Sequence, residues 1–126
     1  GDSDGDPGLH AIIDALLGAA GMGDIGEKFS DKNKKFKNIR SSILLKKIVQ
    51  EIKSCGFMIN NIDINIIVQK PKIQKYKNKM ISCIAKLCEI PNSQINIKGK
   101  TTEKLGLIGK EKAIASEVIA SVIKYD

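Results

Sequence analysis

Residues 60–68, NNIDINIIV, alternate between apolar and polar side chains, most clearly over 61–66. Such an alternation predicts a β-strand, because successive side chains of a strand point to opposite faces of its sheet. The polar positions are Asp63 and Asn65, so one face of this strand is expected to be polar. The other face is expected to lie in the core, and it carries Ile62, Ile64, Ile66 and Val68.

Three helices and two further strands are predicted around this strand. The helices show apolar residues at spacings of three and four, and the last strand is favoured by its β-branched residues. The predicted segments are helices at 10–20, 41–54 and 73–89, and strands at 94–98 and 113–123. This order, α–α–β–α–β–β, predicts an α+β (mixed α/β) fold: a two-layer sandwich with helices packed on one face of a small sheet. Residues 24–38 are polar and rich in Gly, Asn and Lys, and are predicted as a loop.

Local signals predict where the helices begin and end. Asp6 followed by Pro7 suggests the start of the first helix, since Asp accepts an amide hydrogen bond at an N-cap and Pro fits the first turn. The pair Ser41 and Ser42 is expected to cap the second helix, and Gly56 to end it. On the third helix we expect one apolar face, made by Tyr76, Met80, Ile84, Leu87 and Cys88.

Charge is distributed unevenly along the 126 residues. Residues 1–32 carry seven acidic and two basic side chains, a net −5, and residues 33–126 carry 19 basic and seven acidic ones, a net +12. An acidic head with a basic body suggests a metal ion near an anionic ligand. A solvated lysine surface is the simpler interpretation, and the 20 lysines, 22 isoleucines and 8 asparagines also fit an AT-rich coding sequence.

Cysteine and histidine usage limits the possible sites. Three cysteines without CxxC spacing argue against a disulfide framework or a cysteine-bound zinc. By their spacing Cys83 and Cys88 are expected to pack in the core. His10 is the single histidine, so any metal site here needs carboxylates, the substrate or residues outside the chain as further ligands.

Four segments carry groups suited to phosphate and metal chemistry. Each has a simpler structural interpretation as a helix cap, a turn or a helix-surface histidine. Together they supply the hydroxyl and lysine donors that phosphate needs and the carboxylates and imidazole that a divalent ion needs, all at element ends. The segments are SDGD at 3–6 with His10 and Asp14 one turn apart behind it, GDIG at 23–26, QKPK at 69–72, and KTTEKLG at 100–106.

In this order the segments resemble the signatures of the 2-C-methyl-D-erythritol 2,4-cyclodiphosphate synthase family. The resemblance rests on SDGDPGLHAIIDALLGAAGMGDIGEKFSD at 3–31 and IKGKTTEKLG at 97–106, and it extends over nearly the whole chain. It implies a single domain over 1–126 and a homotrimer with active sites between subunits. The implied reaction is isoprenoid-precursor synthesis: the 2-phosphate of 4-diphosphocytidyl-2-C-methyl-D-erythritol 2-phosphate attacks the β-phosphate and CMP leaves. The implied cofactors are Zn²⁺ as a Lewis acid and Mg²⁺ or Mn²⁺ bridging the diphosphate.

The resemblance also implies roles for individual residues. His10 would bind zinc, Glu103 the second metal, and Thr101 would stabilise the transition state. Asp14, one helical turn after His10, would lie behind the metal site. The residues expected to bind substrate are Ser3, Asp24, Ile25, Gly26, Phe29, Ser30, Asp31, Lys32, Asn33, Val68, Gln69, Lys70, Pro71, Lys72, Ile73, Gln74, Lys100, Thr101, Thr102, Glu103, Leu107 and Lys110.

Some positions depart from the family pattern. The family's N-terminal strand supplies two further zinc ligands through an Asp-x-His pair that this chain lacks, and we expect truncation or disorder there rather than true loss. Asp2 stands where the family has a catalytic His. Lys110 and Lys112 stand where the family often has an Arg and a Glu near the trimer axis, so the bidentate grip of an Arg on an anion is lost.

Two other functions are considered. A nucleic-acid-binding module would explain the +7 charge, but only five aromatic residues are available for base stacking and no recognised motif is present. A relative without the zinc site, acting as a nucleotide- or diphosphate-binding trimer, is the stronger alternative. No nucleic-acid partner is therefore expected. No membrane partner is expected either, since no apolar run reaches the length of a membrane span. A plastid of the apicoplast type is the expected location, and a bacterial cytoplasm is the alternative.

Overall fold

A computed structural model describes residues 2–28, 40–68, 74–101 and 113–125, with side chains over 8–28, 40–68, 74–101 and 115–125. The elements follow the predicted order, with two short helical elements added: α2 and a 3-10 turn. They are α1 (Asp2–Ala19), α2 (Ile25–Lys28), α3 (Ser41–Ser54), β1 (Phe57–Val68), α4 (Gln74–Cys88), a 3-10 turn (Asn92–Gln94), β2 (Ile95–Thr101) and β3 (Ala113–Lys124).

The three described strands form one mixed sheet in the order β2–β1–β3. β1 pairs with β2 in parallel and with β3 antiparallel. A parallel pair needs a crossover connection, and α4 lies in the one between β1 and β2. The central strand is therefore the one whose alternating pattern is clearest in the sequence.

One hydrophobic core joins the helices to one face of the sheet. Ile62 and Ile64 of β1 are buried there, as predicted, at 0% and 2% exposure. They pack with apolar residues of α1, α3, α4 and β2 in a single cluster. The predicted two-layer arrangement is confirmed for the described residues: helices cover one face, and the other, which we call the open face, carries no described helix.

The helix boundaries correct three predictions. α1 begins at Asp2, so Asp6 is not its N-cap; Pro7 lies inside the helix, where it lacks the amide that would bond the Ser3 carbonyl. Ser41 is the first residue of α3 rather than its cap, because Arg40 holds the N-cap position and makes no side-chain cap bond. The loop predicted from residue 24 begins with α2, whose Glu27 amide donates to the Asp24 carboxylate at 2.8 Å.

The apolar face predicted for α4 is only partly correct. Ile84 and Cys88 are buried as expected, and burial raises the pKa of the Cys88 thiol to about 12, so this thiol is unreactive. Tyr76 is 58% exposed because α4 contacts the core through its C-terminal half. Cys83 is exposed, contrary to prediction, because five residues of helix turn it away from Cys88.

Of the other predicted ends, the end of α3 agrees with the structure and the start of β1 does not. Gly56 follows α3 with a φ of 91°, a backbone conformation that favours glycine, and its amide bonds the Lys53 carbonyl at 3.0 Å. β1 is three residues longer than predicted because Phe57 pairs with Lys124 of β3. Within the described residues, no helix combines the length and the apolar character needed to span a bilayer.

Candidate active site

Two of the predicted site segments, QKPK and KTTEKLG, adjoin the same end of the sheet along the chain. Val68, the last residue of β1, pairs with Thr101 at the end of β2 and with Ala113 at the start of β3. We call these three residues the site edge. Segments 69–73 and 102–112, which connect to it, lie outside the described residues. Because the carboxyl ends of two parallel strands meet at the site edge, it is a position where α/β proteins commonly bind ligands.

Helix α1 lies beside the same end of the sheet. A Cβ on Gly8 would sit 3.8 Å from the Ser116 hydroxyl of β3, and Ser116 pairs with Ile66, two residues before Val68. His10 follows Gly8 after two residues and is exposed. The N-terminal half of α1 therefore brings the predicted zinc ligand to the end of the sheet that carries the predicted phosphate segments.

His10 has a hydrogen-bond partner that the sequence does not indicate. Its Nε2 lies 3.0 Å from the Ser41 hydroxyl at the start of α3. Ser41 is 4% exposed. Its place at the start of a helix is the only signal in the sequence, and that signal fits a cap equally well. The bond fixes the imidazole from one side and ties α1 to α3.

Asp14 has a different role from the one expected of it. Its spacing of one turn from His10 predicts a place behind the metal site. Its carboxylate instead accepts the Ile25 amide at 2.8 Å, so it holds the GDIG segment against α1. Asp24 accepts the Glu27 amide, and Gly23 enters the segment with a φ of 84°, which favours glycine. The segment thus has a defined conformation, with Asp24 and Gly26 exposed.

Two lysines of β2 lie close to the site edge. Asn96 donates to the Asp63 carboxylate at 3.0 Å and Lys98 donates to it at 2.9 Å, and these bonds hold the pKa of Asp63 below its ordinary value. Lys100 is exposed and has no ion pair within the described residues. Lys100 pairs with Ile67, so it lies on the open face, one residue before Thr101, and offers an ammonium group to an anionic ligand from that side.

The remaining predicted site residues divide into described and undescribed ones. Val68 is 8% exposed and Gln74, the first residue of α4, is exposed. Ser3 lies in α1, but its side chain is outside the described part. Outside the described residues altogether lie Phe29, Ser30, Asp31, Lys32, Asn33, Gln69, Lys70, Pro71, Lys72, Ile73, Thr102, Glu103, Leu107 and Lys110.

The fit of a metal ion rests on His10 alone among the described side chains. No group of three or more His, Cys, Asp or Glu residues is close enough to hold a metal within the part of the chain that is described. The chemistry of His10 suits zinc: the ring is exposed, and its Nδ1 has no hydrogen-bond partner among the described residues. One ligand of a zinc site is therefore present, and Glu103 lies outside the described residues.

Comparison with known proteins agrees with this geometry. The model of the YgbB family matches residues 1–123. The chain belongs to the YgbB family. It is 73% identical over 126 residues to a bifunctional enzyme IspD/IspF of Pelagibacter ubique, covering all of this chain and 34% of that protein. The YgbB-family chain therefore spans about a third of the length of this relative.

Two further similarities cover more of the other protein. A 2-C-methyl-D-erythritol 2,4-cyclodiphosphate synthase of Francisella tularensis subsp. novicida is 50% identical over 117 residues, which is 93% of this YgbB-family chain and 74% of that enzyme. The solved structure of Plasmodium falciparum IspF in a CDP complex superimposes with a TM-score of 0.80 at 41% identity, covering 98% of this chain and 74% of the other. The fold and the family resemblance inferred from the sequence are confirmed.

Proposed function

We propose that this chain is the cyclodiphosphate-synthase part of an enzyme of isoprenoid-precursor synthesis. It would convert 4-diphosphocytidyl-2-C-methyl-D-erythritol 2-phosphate to the cyclic 2,4-diphosphate and release CMP. The observation that carries the proposal is the site edge, where Thr101 pairs with Val68 at the end of the sheet beside which α1, the helix of His10, lies. The identity to the Francisella synthase supports it.

The reaction needs positioning and charge neutralisation more than covalent help from the protein. The attacking 2-phosphate and the β-phosphate must lie in line, and their negative charge must be reduced. Lys100 and the Thr101 hydroxyl would hold phosphate oxygens, while the Asp24–Gly26 segment would bind the hydroxyls of the methylerythritol. The undescribed segments 69–73 and 102–107 would complete the cytidine and phosphate contacts, and residues 29–33 would cover the sugar end.

The proposed metals act on the phosphates. His10 would be one zinc ligand, and Glu103 would hold Mg²⁺ or Mn²⁺. When bound, the two ions supply Lewis-acid polarisation of the phosphate oxygens. The protein itself would orient the imidazole of His10 and leave one of its ring nitrogens free for the ion.

The proposed assembly is a homotrimer that covers the open face of the sheet. Ile119 of β3 is 71% exposed on this face, and the side-chain oxygen of Asn65 is buried there without a hydrogen-bond partner in the described part. Exposed isoleucine and a buried unpaired carbonyl are both unfavourable in an isolated subunit. Packing between subunits would bury the first and offer the second a donor.

The curated relatives favour one of the two locations considered. The relative that is 73% identical is bacterial, as is the Francisella synthase. The bacterial cytoplasm is therefore the proposed location, and the plastid expectation is not retained.

The test is release of CMP from the proposed substrate by the protein that contains this chain. Activity should require added Zn²⁺ and Mg²⁺, and it should fall by at least about 100-fold in Thr101→Val and His10→Gln, since each removes a group proposed to act at the phosphates. Ser93→Ala, an exposed position in the 3-10 turn, is the control and should keep wild-type activity. Binding of CMP without its release would instead support the nucleotide-binding alternative.

A further inference from the structure

Ser41 is the one buried polar residue within the described part of the chain. Burying a hydroxyl without a hydrogen-bond partner is unfavourable, so the partner of Ser41 indicates its role. The common role at the start of a helix is excluded, because the N-cap position belongs to Arg40 and no side-chain cap bond is made there. The described partner of the hydroxyl is His10 Nε2, 3.0 Å away and 31 residues earlier.

The contact determines what the two ring nitrogens of His10 can do. In a neutral imidazole one nitrogen carries the proton and donates, and the other offers a lone pair. With Nε2 donating to the Ser41 oxygen, Nδ1 keeps its lone pair on the side away from Ser41. A metal-bound histidine usually donates its other ring N–H to such a fixed acceptor, which sets the tautomer and the ring orientation.

We propose that Ser41 is a positioning residue for His10, holding Nε2–H so that Nδ1 is presented to the metal. This inference rests on the proposed function, because it assigns His10 to a metal. It adds a residue of α3 to a site whose other predicted groups lie on α1, on the GDIG segment and at the site edge. The contact between α1 and α3 would thereby set the orientation of the His10 imidazole toward the metal.

Two measurements on the protein that contains this chain test the proposal. The first is the NMR spectrum of ¹⁵N-histidine-labelled protein without metal at alkaline pH, with His10→Gln used for assignment. The wild type should show an Nε2–H proton protected from exchange with water by its bond to Ser41. In Ser41→Ala this proton should be lost to rapid exchange.

The second measurement is the affinity for Zn²⁺, determined by competition with a chromophoric chelator. Ser41→Ala should bind Zn²⁺ about 10- to 100-fold more weakly, the usual effect of removing a partner of a ligating histidine. Ser41→Thr keeps the hydroxyl and should stay close to wild type. Ser42→Ala, the neighbouring serine, is the matched control and should match wild type in both measurements. Circular dichroism establishes that each variant is folded.

The outcomes separate this proposal from the proposed function. Zinc affinity of Ser41→Ala within twofold of wild type would overturn the positioning role, as would a wild-type spectrum with the proton on Nδ1. The wild-type spectrum decides between the two tautomers even if Ser41→Ala does not fold. Zinc binding that depends on Ser41, without CMP release by the wild type, would support the inference and refute the proposed function. A wild type that binds no zinc would overturn both.

Discussion

Replacing Asp14 by alanine should loosen the GDIG segment without unfolding the protein. Asp14 Oδ1 accepts the Ile25 amide at 2.8 Å, and this bond joins α1 to the start of α2. A hydrogen bond to a charged group contributes about 1.5–3 kcal/mol, and we take about 1–1.4 kcal/mol because the bond is exposed to water. Since 1.36 kcal/mol is a factor of ten, the population of the held segment should fall relative to the open one by about five- to tenfold.

Hydrogen exchange of the Ile25 amide measures this opening directly. In Asp14→Ala the amide should exchange about five- to tenfold faster, whereas Asp14→Asn keeps a carbonyl oxygen and should show a smaller increase. If Asp24–Gly26 binds the sugar hydroxyls, kcat/KM for CMP release should fall by a similar factor in Asp14→Ala. The free energy of unfolding should fall by at most about 1–1.4 kcal/mol.

Glu51→Gln is the matched control for this prediction. It removes a partly exposed carboxylate whose ion pair with Lys28, at 2.7 Å, joins α3 to the end of α2. Such a surface pair contributes about 0–1 kcal/mol, so exchange at Ile25 and kcat/KM should stay within about twofold of wild type. A folded Asp14→Ala with wild-type exchange at Ile25, or a control that changes as much, would refute the reasoning.

Four further changes test the fold and the assembly. Leu16→Ala removes a fully buried side chain and should lower the free energy of unfolding by about 2–5 kcal/mol in urea titrations, and a change below 1 kcal/mol would contradict the core assignment. Ile119→Lys should dissociate the proposed trimer on size-exclusion chromatography, and an unchanged assembly would argue against the open face as the interface. Glu89 has a φ of 58° and accepts two hydrogen bonds from α3. Glu89→Ala and Glu89→Gly both lose these bonds, but only glycine adopts this φ without backbone strain. The alanine variant should therefore unfold at a lower urea concentration than the glycine variant. The pKa of Asp63 lies below its ordinary 3.8, so the stabilisation by its carboxylate is complete above that value and is lost as the pH falls through the folded pKa. Asp63→Asn should therefore lose less stability below about pH 4 than wild type does. Parallel curves of unfolding free energy against pH for the two proteins would contradict this.

The fold was predictable where one physical effect dominates the sequence pattern. The alternation in residues 60–68 determines which side of β1 is buried, because a one-residue slip would place Ile62 and Ile64 on the open face. The apolar spacing of three and four in residues 41–54 likewise admits one buried face, and α3 buries Leu44, Leu45, Ile48, Val49 and Ile52 there. Gly56 was recognisable because few other residues adopt its backbone conformation.

The errors arose where tertiary contacts decide between local alternatives. Ser41 at a helix start fits a cap equally well by sequence, and only the packing of α1 against α3 brings it to His10. Asp14 lies one turn from His10, but its carboxylate contacts Ile25, whose position depends on the turn at residues 21–24. Cys83 has the apolar character of a core residue, but the helical period turns it toward solvent.

The candidate site could be predicted from sequence motifs, and only partly from the chemical properties of its residues. His10, Asp24 and Thr101 were chosen through the family resemblance, because imidazole, carboxylate and hydroxyl groups each have frequent structural roles. Strand order could not be deduced from the pattern alone. The pairing of Val68 with both Thr101 and Ala113 is what brings the ends of distant segments together.

Phosphorus NMR of the reaction mixture tests the central claim most directly. The protein that contains this chain is incubated with 4-diphosphocytidyl-2-C-methyl-D-erythritol 2-phosphate, Zn²⁺ and Mg²⁺. We expect the signals of the substrate to be replaced by those of one cyclic diphosphate and one CMP in equal amounts, with no inorganic phosphate. Unchanged substrate in the presence of a folded, zinc-loaded protein, or hydrolysis to a linear product, would contradict the assignment of this chain as a cyclodiphosphate synthase.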